Sequence, residues 1–444
     1  MKNKFPFIAL TLALIMTLLA GCSGGGSGSE GETAGTDSKA ASGEASGNSG
    51  NSGSGKETIQ FWHSIGGKNG EFLDAMIKRF NSSQDKVEVV GTFQGSYQET
   101  VTKLQQAVAA KTAPDVTMLE RSNVQLFADA EVLEDLAPYM EKSGLSKDDF
   151  EEGLMGHSYF NDKLVSLPFN RSTPVMHINK SMLDEKGLSI PTTWDELKKT
   201  AEALVVKENG EVKRYGLTMP YDTWYPIAMI TQAGGKFFND EGTSVGYTTE
   251  ASKTFKYLKE LQNAGALYYP PSQDSGNITN QMFTSGKVGI LFQSTGSISG
   301  LTQGAKFDYV TAFLPQDKQY ATPTGGGNVA MMAASKHKDA AWEFMHWLMT
   351  SPEGAQQFVI DTGYLPFTKQ MVESDAIKQL WEKEPNRKVA FEQLQYAVDT
   401  NKSVQWPQVE QEFNKAIQAI MYDNKDVDAT LNSYKEEVDR ILKN

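Results

Sequence analysis

Cysteine is nearly missing from this chain of 444 residues; it occurs once, at Cys22. That excludes an intramolecular disulfide. It also removes thiolate metal sites and cysteine nucleophiles from everything downstream. A long exported chain can do without disulfides because its core is large enough. Histidine is scarce too, and His63, His157, His177, His337 and His346 show no metal-ligand spacing. Positive charge is short. The formal net charge is -13, and setting aside Lys2 and Lys4 lowers it to -15. No basic stripe appears, so nucleic acid is not an expected partner. The globule holds no Gly-x-Ser-x-Gly elbow. Gly66-Gly67-Lys68-Asn69-Gly70 lacks the spacing of a phosphate loop, which rejects a nucleotide site. No catalytic residue, cofactor or metal is expected. Past the N-terminus no apolar run is long enough to span a bilayer, so any translocation falls to other subunits.

What is present begins at that N-terminus. Lys2 and Lys4 form a short basic region, and Phe5 to Ala20 is apolar except for Pro6, Thr11 and Thr17. This reads as a signal peptide over 1–21. Leu19-Ala20-Gly21-Cys22 resembles the bacterial lipobox, in which the cysteine is lipidated and becomes the new N-terminus. An ordinary signal peptide that happens to carry a cysteine is the plainer reading. Residues 22–56, rich in Gly, Ser, Glu, Asn and Ala, cannot bury enough surface to offset their ordering entropy and read as a flexible tether. Together these place the globule on the extracellular face, or periplasmic side, of a cell membrane, held by a lipid anchor.

The rest, 57–444, is too long for one simple core and suits two lobes. Thr58 to His63 alternates as a strand, and Gly66, Gly67 and Gly70 read as a loop. Phe72, Leu73, Met76, Ile77 and Phe80 then recur at helical spacing. A strand at Val87–Val90, a helix with Tyr97, Val101, Leu104 and Val108 on one face, and a strand at Val116–Leu119 complete a parallel α/β pattern. Asp162 to Pro168 reads as a turn followed by a strand, and further strands fall at Val175–Ile178 and Lys287–Phe292. Thr193-Trp194-Asp195-Glu196 is a capping box opening a helix. Trp342, Phe344 and Trp347 mark an apolar helix that belongs to the core, and Phe413–Leu442 is mostly helical by spacing.

Several stretches resemble extracellular solute-binding proteins of bacterial ABC importers, the family of the maltose and glycerol-3-phosphate receptors. They are Phe61-Trp62-His63-Ser64, Ala113-Pro114-Asp115-Val116, Leu167 to Val175, Pro191 to Leu197 and Asp361 to Pro366. The likeness covers essentially all of 57–444, and the first and third stretches, with Tyr97, look like the glycerol-3-phosphate branch. It implies an α/β fold of two lobes, the periplasmic-binding-protein fold, with a ligand cleft between them. Lobe one would be 57–170 plus 294–345, and lobe two 171–293 plus 346–444. It further implies a monomeric receptor that binds a small-molecule solute, docks on ABC transporter permease subunits and is not an enzyme.

Residue by residue, the resemblance suggests Tyr97, Glu120, Ser172, Ser294, Gly326 and Tyr364 as ligand contacts. Tyr221 and Trp224 fall where that branch places two tryptophans. The residues themselves leave alternatives open. Tyr97 also fits core packing, Glu120 a solvated loop charge, Ser294 an ordinary helix N-cap, and Gly325-Gly326-Gly327 a plain turn. Where the branch has an arginine after a Pro-Gln pair, to meet phosphate, this chain has Pro407-Gln408-Val409-Glu410. A carboxylate about 4 Å from a phosphate repels it by roughly 4 kcal/mol at an effective dielectric of 20. Arg171 or Lys402 would have to compensate. The expected ligand is therefore a glycerophosphodiester with a cationic head group, or an uncharged glycan, rather than free glycerol-3-phosphate. An oligosaccharide receptor and a secreted polysaccharide-degrading enzyme are the alternatives; the latter needs paired acids in a cleft, which the sequence does not place.

The lipid anchor is the first expectation open to test. Cys22→Ser should release the protein from the membrane or block its processing, as read by membrane fractionation and mass. A variant that stays membrane-bound at the wild-type size would refute it.

Overall fold

The alternating apolar residues of Glu57–His63 bury Ile59, Phe61 and His63 on one face, as a half-buried strand requires. In the computed structural model this strand is an inner strand of the first of two large sheets. The model describes residues 55–239, 243–398, 400 and 402–443. Cys22 and the signal and tether segments up to residue 54 lie outside the described residues. Among the described residues no helix is long and apolar enough to cross a membrane.

The first sheet runs in the order Val87–Phe93, Glu57–His63, Val116–Glu120, Gly327–Met331, Leu167–Pro168. The first three strands are parallel, joined by the helices Gly67–Ser83 and Tyr97–Ala110. Gly327–Met331 closes the sheet antiparallel to Val116–Glu120. The second sheet runs Leu267–Tyr268, Glu211–Thr218, Val288–Ser294, Pro174–Asn179, Tyr309–Ala312. Its central strands Pro174–Asn179 and Val288–Ser294 are buried along almost their whole length, as strands covered on both faces must be. Each sheet carries its own core. Phe61, Phe80, Phe344 and Phe358 pack around the first, and Leu217, Phe255, Phe413 and Ile417 around the second. The chain passes between the cores at 169–173, at 313–326 and again ahead of Trp406.

Capping fixes where several helices start. Ser96 and Glu99 form a reciprocal capping box, and Thr193 and Glu196 form the expected second one. The helix expected after a glycine loop starts earlier, at Gly67, and takes Gly70 inside it. Close approach explains the glycine: a Cβ on Gly70 would stand 3.1 Å from the carbonyl oxygen of Ile65. The strand at Val87 runs on to Phe93. Trp342 and Phe344 are in the first core as expected, whereas Trp347 sits half-buried at its edge against Phe80.

The lobe boundaries differ from the expected ones. Phe358, Leu365, Phe367, Met371 and Ala390 pack in the first core, so the stretch 346–392 belongs with lobe one. Tyr309–Ala312 hydrogen-bonds to Pro174–Asn179, which puts this part of 294–345 in lobe two. The reason is that apolar periodicity shows which face of an element is buried but not which of two similar cores receives it.

Two glycines give a matched test of this packing. A Cβ on Gly216 would fall 1.9 Å from the carbonyl oxygen of Ala201, and one on Gly300 would meet nothing within 4 Å. Gly216→Ala should lower stability by about 1–3 kcal/mol through overpacking. Gly300→Ala, at an exposed position of the helix Ile298–Gly304, should raise it by up to about 1 kcal/mol. Urea unfolding of the two variants reads both signs.

Candidate functional site

Strands that end on the same side of the molecule deliver their next residues to one place. Glu120 is the last residue of Val116–Glu120, and Ser294 the last of Val288–Ser294. Glu211–Thr218 leads directly into Pro220 to Trp224. The carboxyl ends of strands are where open α/β sheets hold ligands. Glu120 accepts from the Ser122 N–H at 2.8 Å and from the Ser122 hydroxyl, which caps the short turn Arg121–Asn123. Ser294 Oγ accepts from the Gly296 N–H at 3.1 Å. Ser294 is thus an N-cap and a cavity residue at once. Gly326 has φ +81°, and a Cβ there would fall 1.9 Å from the carbonyl oxygen of Asn170, so only glycine fits. The adjoining Gly325 exchanges backbone hydrogen bonds of 2.7 and 3.2 Å with Ser172.

The aromatic residues are positioned by equally specific contacts. Trp224, which falls in no clear period of the sequence, opens the helix Trp224–Gln232. Its Nε1 donates to the carbonyl of Pro323 at 3.0 Å, and a Cβ on Gly325 would meet its ring at 2.5 Å. Tyr221 donates to the carbonyl of Asn414 at 2.8 Å. Tyr97 accepts from Asn170 Nδ2 at 2.9 Å while packing at the edge of the first core. Its ring packs at the core edge and lines the cavity as well. Tyr364 stacks on Phe358 with ring centres 5.7 Å apart, and its other side lies against Gly296. Burial holds the phenols of Tyr97, Tyr221 and Tyr364 above the ordinary range, so all three stay neutral.

Glu410 reaches the site from the helix Trp406–Met421. Val409, Phe413, Ala416, Ile417 and Ile420 form its buried stripe. Pro407, Glu410, Gln411 and Asn414, at the spacing i, i+3, i+4, i+7, line the cavity on another face. Glu410 accepts from Thr223 Oγ1 at 3.1 Å. Burial, and then the charges of Glu120 and Asp222, push its carboxyl up to about 8. Burial also raises Asp222, with Glu120 adding to the effect, to about 6. Although protein surrounds Asp222, its side chain opens on the cavity, where water screens it.

These elements enclose a cavity of about 850 Å³, within the range usual for small-molecule sites. Tyr97, Glu120, Ser172, Tyr221, Trp224, Ser294, Gly326, Tyr364 and Glu410 all line it. Neither Arg171 nor Lys402 does. Arg171 is buried and donates to Asn328 Oδ1 and Thr324 Oγ1 at 2.8 and 2.7 Å. Sequence reasoning missed Arg121, Asn123, Asp222, Gln293 and Trp406, which line the cavity too. Only Asp222 carried a signal, as an acid between two proposed aromatic contacts. Among the described residues no group of three or more His, Cys, Asp or Glu side chains is placed to hold a metal ion.

A family model described as "Bacterial extracellular solute-binding protein" matches residues 75–386. The chain belongs to that family. Solute-binding proteins similar to it include a maltotriose-binding protein of Pyrococcus abyssi, 28% identical over 404 residues, covering 88% of this chain and 83% of the relative. The sn-glycerol-3-phosphate-binding periplasmic protein UgpB of Agrobacterium fabrum is 25% identical over 414 residues, covering 87% of this chain and 92% of the relative. Among solved structures, UgpB of Mycobacterium tuberculosis in complex with glycerophosphocholine matches with a TM-score of 0.79 at 24% identity, over 88% of this chain and 99% of that one. A Listeria monocytogenes substrate-binding protein in complex with cycloalternan gives 0.77 at 23%, over 87% and 99%. These neighbours share the two-lobed substrate-binding fold.

If the aromatic residues anchor the solute, Trp224→Ala and Tyr97→Ala should each weaken binding by about 1–3 kcal/mol. Tyr97→Ala should also cost the more in thermal stability, since its ring completes the first core. Titration of both variants by tryptophan fluorescence or calorimetry checks this; unchanged affinity in both would remove the aromatic site.

Proposed function

We propose that this chain is a lipid-anchored, monomeric receptor of an ABC importer that captures a small polar solute in the cleft between its lobes and presents it to permease subunits. It catalyses nothing. The observation that carries this reading is the cavity itself. The carboxyl ends of strands from both sheets open into it, with aromatic faces, hydroxyls and carboxylates lining one volume. Solute bridging the lobes stabilises a closed state through contacts available only when both touch it.

The solute is a glycerophosphodiester with a cationic head group, with an oligosaccharide as the second reading. Among the described residues, Glu120, Asp222 and Glu410 line the cavity against a single lining cation, Arg121. That balance disfavours a phosphate monoester, which carries about -1.5 to -2 charge at neutral pH. Tyr and Trp faces suit a quaternary ammonium or the apolar face of a sugar. One structural neighbour holds glycerophosphocholine and another a cyclic glycan, which keeps both readings chemically reasonable for this architecture.

Calorimetry on the mature chain with glycerol-3-phosphate, glycerophosphocholine and short oligosaccharides decides among them, with chromatography for products. Glycerophosphocholine or a glycan should bind more tightly than glycerol-3-phosphate and be recovered intact. Tight binding of glycerol-3-phosphate that Glu410→Arg leaves unimproved would overturn the assignment of Glu410, and hydrolysis would overturn the receptor reading.

A further inference from the structure

Three carboxylates reach the cavity from opposite lobes. Glu120 comes from the first sheet, and Asp222 and Glu410 come from elements packed on the second core. Each is held in place: Glu410 by Thr223, Asp222 by the Trp224 N–H at 2.8 Å, and Glu120 by Ser122. The positive charge beside them is turned elsewhere. Arg121 is 1% exposed, its guanidinium donates to the carbonyls of Thr324 and Thr400, and it touches His157 at 3.2 Å. Its Nε stands 4.0 Å from Glu120. The other titratable groups facing the trio are Tyr97, Tyr221, Tyr225 and Tyr364, all held neutral by burial.

A second, independent feature marks the same volume as built for a ligand. Asn123 and Trp406 line it while only 3% and 1% exposed, yet Asn123 Oδ1 and Trp406 Nε1 have no hydrogen-bond partner among the described residues. A buried polar atom left unpaired is costly, so an acceptor and a donor left so beside one cavity suit polar groups brought by a solute.

Resting on the reading of this cavity as the solute site, we propose that Glu120, Asp222 and Glu410 share a proton across the cleft, and that a solute bearing a positively charged nitrogen enters by displacing that proton to solvent. Three carboxylates lining one cavity from two lobes repel one another as the lobes close, and a proton or a cation among them relieves that repulsion. The raised carboxyl of Glu410 agrees with it. Capture of a cation is then coupled to proton release and weakens as pH falls. A neutral solute that accepts a hydrogen bond from protonated Glu410 shows the reverse and weakens as pH rises through about 8.

One arm of the test needs no ligand. An acid raised from 4.5 to about 8 on folding binds more protons in the folded state, so stability is lost as pH rises across that window. Thermal unfolding of the mature wild-type protein should therefore fall relative to Glu410→Gln between pH 5 and pH 8; parallel curves would overturn the shared proton. Asp222→Asn, read the same way, keeps the test open if Glu410→Gln does not fold. The second arm titrates choline and glycerophosphocholine in phosphate and in Tris, whose ionisation enthalpies differ. A buffer-dependent enthalpy reporting proton release, diminished in Glu410→Gln, is expected. Buffer-independent binding would overturn the coupling while leaving the cavity as a solute site. Failure of both cations to bind would overturn cation capture, and binding untouched by Trp224→Ala would sink the cavity reading itself.

Discussion

A guanidinium buried in the body of a protein must be met by acceptors on every side, and in this molecule those acceptors belong to the segments that join the lobes. Arg121 follows the end of a first-sheet strand and reaches Thr324, in the 313–326 passage, and Thr400, in the segment ahead of Trp406. Removing one partner of a buried charge typically costs about 3–5 kcal/mol, so the strand end and both passages are held in one relation. Glu120 and Gly326 take their places beside it. The Arg121 N–H donates to the carbonyl of Gly326 at 3.1 Å, and the Arg121 charge partly offsets the rise at Glu410.

That commitment of Arg121 shapes the chemistry of the cleft. A cation whose donors are spent on backbone carbonyls stabilises structure but offers little to an incoming anion. The carboxylates keep more freedom. Glu120 and Asp222 accept one or two hydrogen bonds from their own segments and Glu410 accepts one from Thr223, which leaves oxygen lone pairs for solute donors. The site is an acceptor-rich, aromatic-walled volume, suited to hydroxyls, ammonium groups and N–H donors rather than to the doubly charged phosphate of a monoester.

Much of this was legible in the sequence, for identifiable reasons. Alternation and helical spacing located the strand at Thr58 and the helix at Phe72, because each buries a single face, and short apolar runs located the strands at Val116 and Val288, which are buried on both. Capping chemistry placed Thr193, since its hydroxyl satisfies an N–H that has no partner within the helix. Nine proposed contacts converge on one cavity because strand ends and glycine turns are fixed by local backbone demands. Long-range pairing was not legible. Nothing local says that Tyr309–Ala312 joins the second sheet, or that Phe358 and Leu365 turn back to the first core. Arg121 was missed for the same reason: its partners lie hundreds of residues away, at Thr324 and Thr400.

The passages between the lobes are also walls of the cavity, and this links recognition to motion. Trp224 belongs to the second lobe, yet its indole donates to Pro323 and lies on Gly325, within the passage itself. Ser172, in the 169–173 passage, is tied back to Gly325 by a pair of backbone bonds. A solute touching Trp224, Ser172 and Gly326 therefore touches the elements whose backbone angles must change if the lobes move. A ligand shifts a conformational equilibrium only by the difference in its affinity for the two states. Contacts made to the joining segments differ between open and closed forms by necessity, whereas contacts made wholly within one lobe need not. Of the cavity's lining residues, Ser172, Gly325 and Gly326 lie on these segments, so a solute resting on them would have leverage over closure.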